Sequence, residues 1–165
     1  MKSRLTALTI LVLALLAGCG GGDETTTPEE GTDIPAGAYE PLAADFPKPR
    51  GKSIEQLANE LPPGPQLGLA TSVFTPGENR LAFGLIDQEG QFVYGPTAVY
   101  IGQDGKEPAQ GPFPAPADSL VTAEQFRSEQ AATEESSISA IYSADVDLPK
   151  PGRWFVLAVT QFSDG

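Results

Sequence analysis

The chemistry open to this chain is narrow. Of its 165 residues one is a cysteine, Cys19, none is a histidine, and the single methionine is Met1. That removes the usual general base, pH switch and imidazole metal ligand. It also leaves one thiol, too few for a disulfide or a Cys-x-x-Cys redox pair. Acidic residues are plentiful, 22 against 10 basic, for a formal net charge of −12. A catalyst of this composition would need a carboxylate pair or a Ser–Lys arrangement. No such pair stands out by spacing from the acidic background. Asp23, Glu24, Glu29 and Glu30 lack the glycine and ligand spacing of a calcium loop. The expectation is a chain without catalytic residues, metal or cofactor, hence not an enzyme. A surface this acidic repels phosphates, which argues against nucleic acid as a partner.

Cys19 therefore carries most of the chemical interest, and its flanks define its use. Lys2 and Arg4 open the chain, and Leu5 to Leu16 follow as twelve mostly apolar residues. A bilayer-spanning helix needs about 20 such residues, so this segment reads as a signal-peptide core rather than a stable membrane span. Leu16-Ala17-Gly18-Cys19 resembles the lipobox of bacterial lipoproteins. The resemblance implies that the Cys19 thiol takes a diacylglyceryl group and that cleavage falls between Gly18 and Cys19. Residues 1–18 would then be a removed leader, and acyl chains of the palmitate type would hold the mature N-terminus on the extracytoplasmic face of a membrane. Two or more such chains convert weak, reversible binding into stable anchoring. The outer face of a cell membrane and the periplasmic side of an outer membrane both remain open.

Residues 20–45 hold seven acidic residues and no basic one, with Gly, Thr and Pro between them. Such a segment buries too little apolar surface to offset its ordering entropy. Residues 19–48 are accordingly expected to be the lipidated cysteine and a disordered tether, and 49–165 the domain.

Within the domain, Ser53-Ile54-Glu55-Gln56 matches a capping box, and Ile54, Leu57 and Leu61 share one helical face before Pro62-Pro63. This predicts a two-turn helix laid against the domain as a lid. Four β-type runs follow, at Leu67–Phe74, Arg80–Asp87, Phe92–Tyr94 and Thr97–Gln103, each bounded by Gly or Pro clusters. Residues 104–118 are rich in Pro, Gly and Ala and read as a long surface loop. Thr122-Ala123-Glu124-Gln125 is a second capping-box match that allows a short helix over 123–132, an irregular connection being equally compatible. Ile138–Leu148 alternates, with Tyr142, Ala144, Val146 and Leu148 on one side. Trp154–Phe162 is apolar on both faces and is expected at the centre of a sheet, with Trp154 in the core rather than on a binding platform. Regularly spaced strands of this kind predict an all-β, antiparallel sandwich or barrel with one or two short helices. After Phe162, Asp164-Gly165 is a hairpin-turn signal with no strand behind it. Either the domain uses one strand fewer or the chain stops before an expected partner strand, and the second reading is favoured.

Ser72-Val73-Phe74, Pro76-Gly77-Glu78-Asn79-Arg80, Phe83-Gly84-Leu85, Tyr142 to Pro149 and Pro151-Gly152-Arg153-Trp154 are together similar to the N-terminal region of bacterial lipoproteins that carry a thioredoxin-like domain further on. The resemblance covers about residues 50–165 and implies an Ig-like sandwich. It carries over no redox activity, because this chain has no thioredoxin-like region and no Cys-x-x-Cys. The functional expectation is a non-catalytic, lipid-anchored Ig-like interaction module. The alternative is a truncated accessory domain of a redox lipoprotein, working with a separate thioredoxin-like partner or another envelope protein. Gly77 and Gly152 are expected to serve turn geometry. Arg80 is expected to meet a partner carboxylate or a strand edge, with a weaker claim to ligand binding.

Overall fold

Glycine and proline punctuation divides the chain into short extended runs, and hydrophobic alternation decides which side of each run is buried. The structure is a computed structural model that describes residues 34–121, 124–126 and 138–162. The expected leader and cleavage site, with Cys19, lie outside the described residues. So do the C-terminal Asp-Gly and all of the expected 123–132 helix except a 3-10 turn at Glu124–Phe126.

The described residues form two antiparallel sheets with short helices. The strands are β1 (Gln66–Leu69), β2 (Gly77–Ile86), β3 (Thr97–Gln103), β4 (Gln110–Pro114), β5 (Ala117–Ser119), β6 (Ala140–Leu148) and β7 (Trp154–Thr160). One sheet has the order β1-β2-β6-β5, the other β4-β3-β7. β2 and β6 pair from Gly77 opposite Leu148 to Phe83 opposite Tyr142. This register sets Leu81 and Phe83 beside Ala144 and Tyr142 on one buried face. The Phe83 and Tyr142 rings stack at 5.4 Å. Val99 and Ile101 of β3 and the partly buried Trp154, Val156 and Ala158 of β7 join the same cluster from the other sheet. The main core is therefore the space between the two sheets.

The tyrosine hydroxyls tie the chain across this core. Tyr142 accepts from the Gly95 amide at 2.8 Å and donates to the Gly95 carbonyl at 3.0 Å, fixing the entry to β3. Tyr94 accepts from the amides of Ser139 and Ala140. Phe92–Tyr94, expected as a strand, is instead a connection with a single bridge from Phe92 to Ile86. It is held by these side-chain bonds and by one backbone bond, from the Val93 amide to the Leu85 carbonyl at 3.0 Å, rather than by a full ladder.

A second core lies on the far side of β3. Ala98 and Tyr100 point there and pack with Phe46, Ile54 and Leu57. The expected capping box is present. Ser53 Oγ accepts from the Gln56 amide at 3.3 Å, Gln56 Oε1 accepts from the Ser53 amide at 2.9 Å, and α2 spans Ile54–Glu60 behind a first helical turn, α1, at Ala36–Tyr39. α2 lies so close to β3 that a Cβ at Gly102 would come within 2.8 Å of Ile54 Cγ1. Tyr100 donates to the Pro47 carbonyl at 2.6 Å, and Gln161 Nε2 donates to the Asp45 carbonyl at 2.9 Å. Burial pushes the Tyr100 hydroxyl up to about 12 and raises that of Tyr142 as well, so both remain protonated donors at any ordinary pH.

Three further expectations need correction. The tether does not reach residue 48: Ile34, Ala38 and Phe46 are buried, so the packed part begins by Ile34. Ile34 and Ala38 join the core between the sheets and Phe46 the one beyond β3, so sparse apolar residues suffice where folded sheets receive them. Residues 104–118 are not one loop, because β4 and β5 lie within them. Pro112 and Pro114 are accommodated in β4, an edge strand, where a missing amide costs no ladder bond. β7 is not central. It has β3 on one side and no strand on the other among the described residues. It is apolar on both faces because a core lies on each side of its sheet, which is a statement about layers and not about neighbouring strands.

The revised boundary has a direct consequence. Phe46→Ala is expected to destabilise the full chain by about 3–5 kcal/mol, as for a core aromatic. Urea unfolding followed by Trp154 fluorescence measures it, and an unchanged midpoint would place Phe46 back in a tether.

Candidate functional site

The residues that open a cavity come from elements far apart in sequence. Leu81 of β2 and Val146 and Leu148 of β6 form one wall, and Ile101 of β3 with Trp154 and Val156 of β7 the opposite one. Leu69 at the end of β1, Phe74 in the β1–β2 connection and Gly152 in the β6–β7 turn complete the mouth. The cavity measures about 160 Å³ and its walls are mainly apolar. At its mouth, Leu69 and Phe74 are 53% and 37% exposed, and Val73, next to Phe74 in the chain, is 76% exposed. Leu69 and Phe74 make an apolar lip on a strongly acidic chain.

The lip is held by its own turn chemistry. Thr71 Oγ1 accepts from the Ala82 amide at 2.9 Å and donates to the Arg80 carbonyl at 3.2 Å. Asn79 Oδ1 accepts from the Thr75 amide, while its Nδ2 donates to the carbonyls of Thr75 and Gly77. The Pro76-Gly77-Glu78-Asn79 cluster thus fixes the connection that carries Val73 and Phe74. Gly77 and Gly152 take the expected turn roles, with φ of 105° and 140°, values that side-chain-bearing residues rarely adopt. Trp154 serves two purposes. Its ring packs on the core and also walls the cavity, and its Nε1 donates to the Lys150 carbonyl at 3.1 Å, which fixes the ring plane.

Arg80 lies elsewhere. Its neighbour Leu81 points into the core, so Arg80 projects from the opposite face of the β1-β2-β6-β5 sheet. Its guanidinium donates to Asp118 Oδ2 at 3.1 Å and to Ser143 Oγ at 2.8 Å, and Ser143 Oγ donates to the same Asp118 oxygen at 2.8 Å. The expected carboxylate partner is therefore Asp118 of this chain, and the trio joins β2, β6 and β5. With both charged side chains more than half exposed, the pair contributes at most about 1 kcal/mol. The structure does not bring Arg80 to the cavity.

Of the two features that could receive a partner, sequence reasoning located neither in place. The cavity draws on residues 69 to 156, and only the apolar Leu67–Phe74 run, longer than the strand it contains, signalled an excess of exposed hydrophobic surface. The uncovered side of β7 had a fainter signal in the turn residues after Phe162. Among the described residues no group of three or more Asp or Glu could hold a metal ion, and no helix is long and apolar enough to cross a membrane. No protein-family model, curated protein or solved structure matches the chain.

Proposed function

We propose that this chain is a non-catalytic, lipid-anchored module of Ig-like build that binds a partner at an extracytoplasmic membrane surface. The observation that carries the binding role is the apolar cavity with its exposed lip of Leu69 and Phe74. A pocket walled by aliphatic and aromatic side chains offers desolvation and shape to a ligand, and its walls supply no group that could transfer a proton or attack a substrate. An exposed apolar patch of this kind marks an interaction surface more often than an accident of packing.

The Ig-like reading is supported by strand order. β1-β2-β6-β5 follows the A-B-E-D order of an Ig sheet, and β3 beside β7 follows the C-F pair of the opposing one, with β4 on the outer side of β3. The anchor is supported by Leu16-Ala17-Gly18-Cys19 behind a short apolar leader. With Ile34 packed, residues 20–33 are all that separate Cys19 from the domain, fourteen residues that reach at most about 50 Å. The module would therefore work close to the membrane surface.

Expressed from its own leader in a bacterium, the full chain is expected to incorporate labelled fatty acid and to enter the detergent phase on extraction. Cys19→Ser should abolish the label and move the chain to the aqueous phase. Label retained by Cys19→Ser would refute the anchor.

A further inference from the structure

The four sheet edges of this molecule are not protected alike. β5 is three residues long and β1 four. β4 carries Pro112 and Pro114, and the register of its pairing with β3 shifts between Val99 and Ile101. These are the usual devices against edge-to-edge pairing. β7 has none of them. It runs seven residues, Trp-Phe-Val-Leu-Ala-Val-Thr, without a charge, a proline or a register break, and pairs with β3 along its whole length. Its other side meets no strand among the described residues.

The cavity lies beside that same edge. Leu67 and Leu69 of β1 stand opposite Leu85 and Phe83 of β2 and so share their inward face. β1 extends its sheet on the side where the facing sheet ends at β7. Leu69 thus overhangs the row next to β7, and with Trp154 and Val156 it bounds the cavity. A hydrogen-bonding edge that no strand caps among the described residues and an apolar hollow under an overhang together describe a slot one strand wide.

We propose that this slot seats an extended segment of another polypeptide, which adds to β7 as a fourth strand of its sheet and lowers one large apolar side chain into the cavity. At about 160 Å³ the hollow matches the cavity of about 150 Å³ that accepts benzene, so one Leu or Phe side chain fills it. Main-chain bonds to β7 give affinity, and the hollow selects an apolar residue with a period of two along the donor. A second copy of this chain suits the slot poorly. Antiparallel pairing of two β7 strands would bring the overhanging β1 of each copy into the sheet of the other, and each copy carries a net charge of −12. A lone segment without acidic residues meets neither obstacle.

This rests on the reading of the chain as a binding module and not on its lipid anchor, so peptide binding and fatty-acid labelling fail independently. The test uses the full chain in phosphatidylcholine nanodiscs and a fluorescent nonapeptide that alternates Thr with Val, Phe and Val between terminal lysines. Two further versions are N-methylated on the amides of one edge or of the other. The peptide is expected to bind one to one. Methylation of one edge should weaken it at least tenfold and methylation of the other by less than threefold, because only one edge faces β7. Leu69→Lys, at a half-exposed position, should also weaken binding tenfold, whereas the peptide control needs no change to the protein. Equal binding of both methylated peptides would make the cavity a simple apolar site and overturn strand addition. Absence of binding at millimolar peptide, or a stable dimer in sedimentation, would overturn it as well.

Discussion

The structure depends on the burial of β3 from both sides. Every residue from Thr97 to Gly102 is buried, with Val99 and Ile101 turned to the space between the sheets and Ala98 and Tyr100 to the layer built from residues 46–57. A chain with one cysteine and a large excess of acidic groups has neither disulfides nor charge balance to hold it together. It gains stability by giving a single strand two apolar neighbourhoods. The capping box at Ser53, the close approach at Gly102 and the Tyr100 bond to Pro47 all serve the second of them.

That arrangement also explains what was readable beforehand. Short-range patterns were legible because they are decided locally: the Ser53–Gln56 box is a property of four residues, and the alternation through Tyr142, Ala144, Val146 and Leu148 follows from one buried face. The Pro-rich stretch that contains β4 and β5 was not, because whether a proline is tolerated depends on the strand being at an edge. The segment from Ile34 to Phe46 was misread for a similar reason. Its composition is that of a spacer, and only tertiary packing orders it, with Ile34 and Ala38 in the core between the sheets and Phe46 in the one beyond β3. β7 misled in the opposite direction, since a strand between two cores looks central in sequence even when it borders the sheet.

The functional features follow from the same asymmetry. A four-stranded sheet faces a three-stranded one, so β1 has no counterpart below it and β7 no neighbour beside it among the described residues. The cavity is the visible result of that mismatch. Arg80, the residue most suggestive of ligand binding in the sequence, turns out to stitch β2 to β5 and β6 through Asp118 and Ser143, away from the hollow.

Amide hydrogen exchange on the full chain reads the state of the β7 edge, which no strand covers among the described residues. Successive amides of a strand point to opposite edges. Alternate amides of β7, those bonded to β3, are expected to be strongly protected, the intervening ones to exchange rapidly, and the interior of β3 to be protected throughout. Uniform protection along Trp154–Thr160 would show that the edge is already covered and would overturn the open edge.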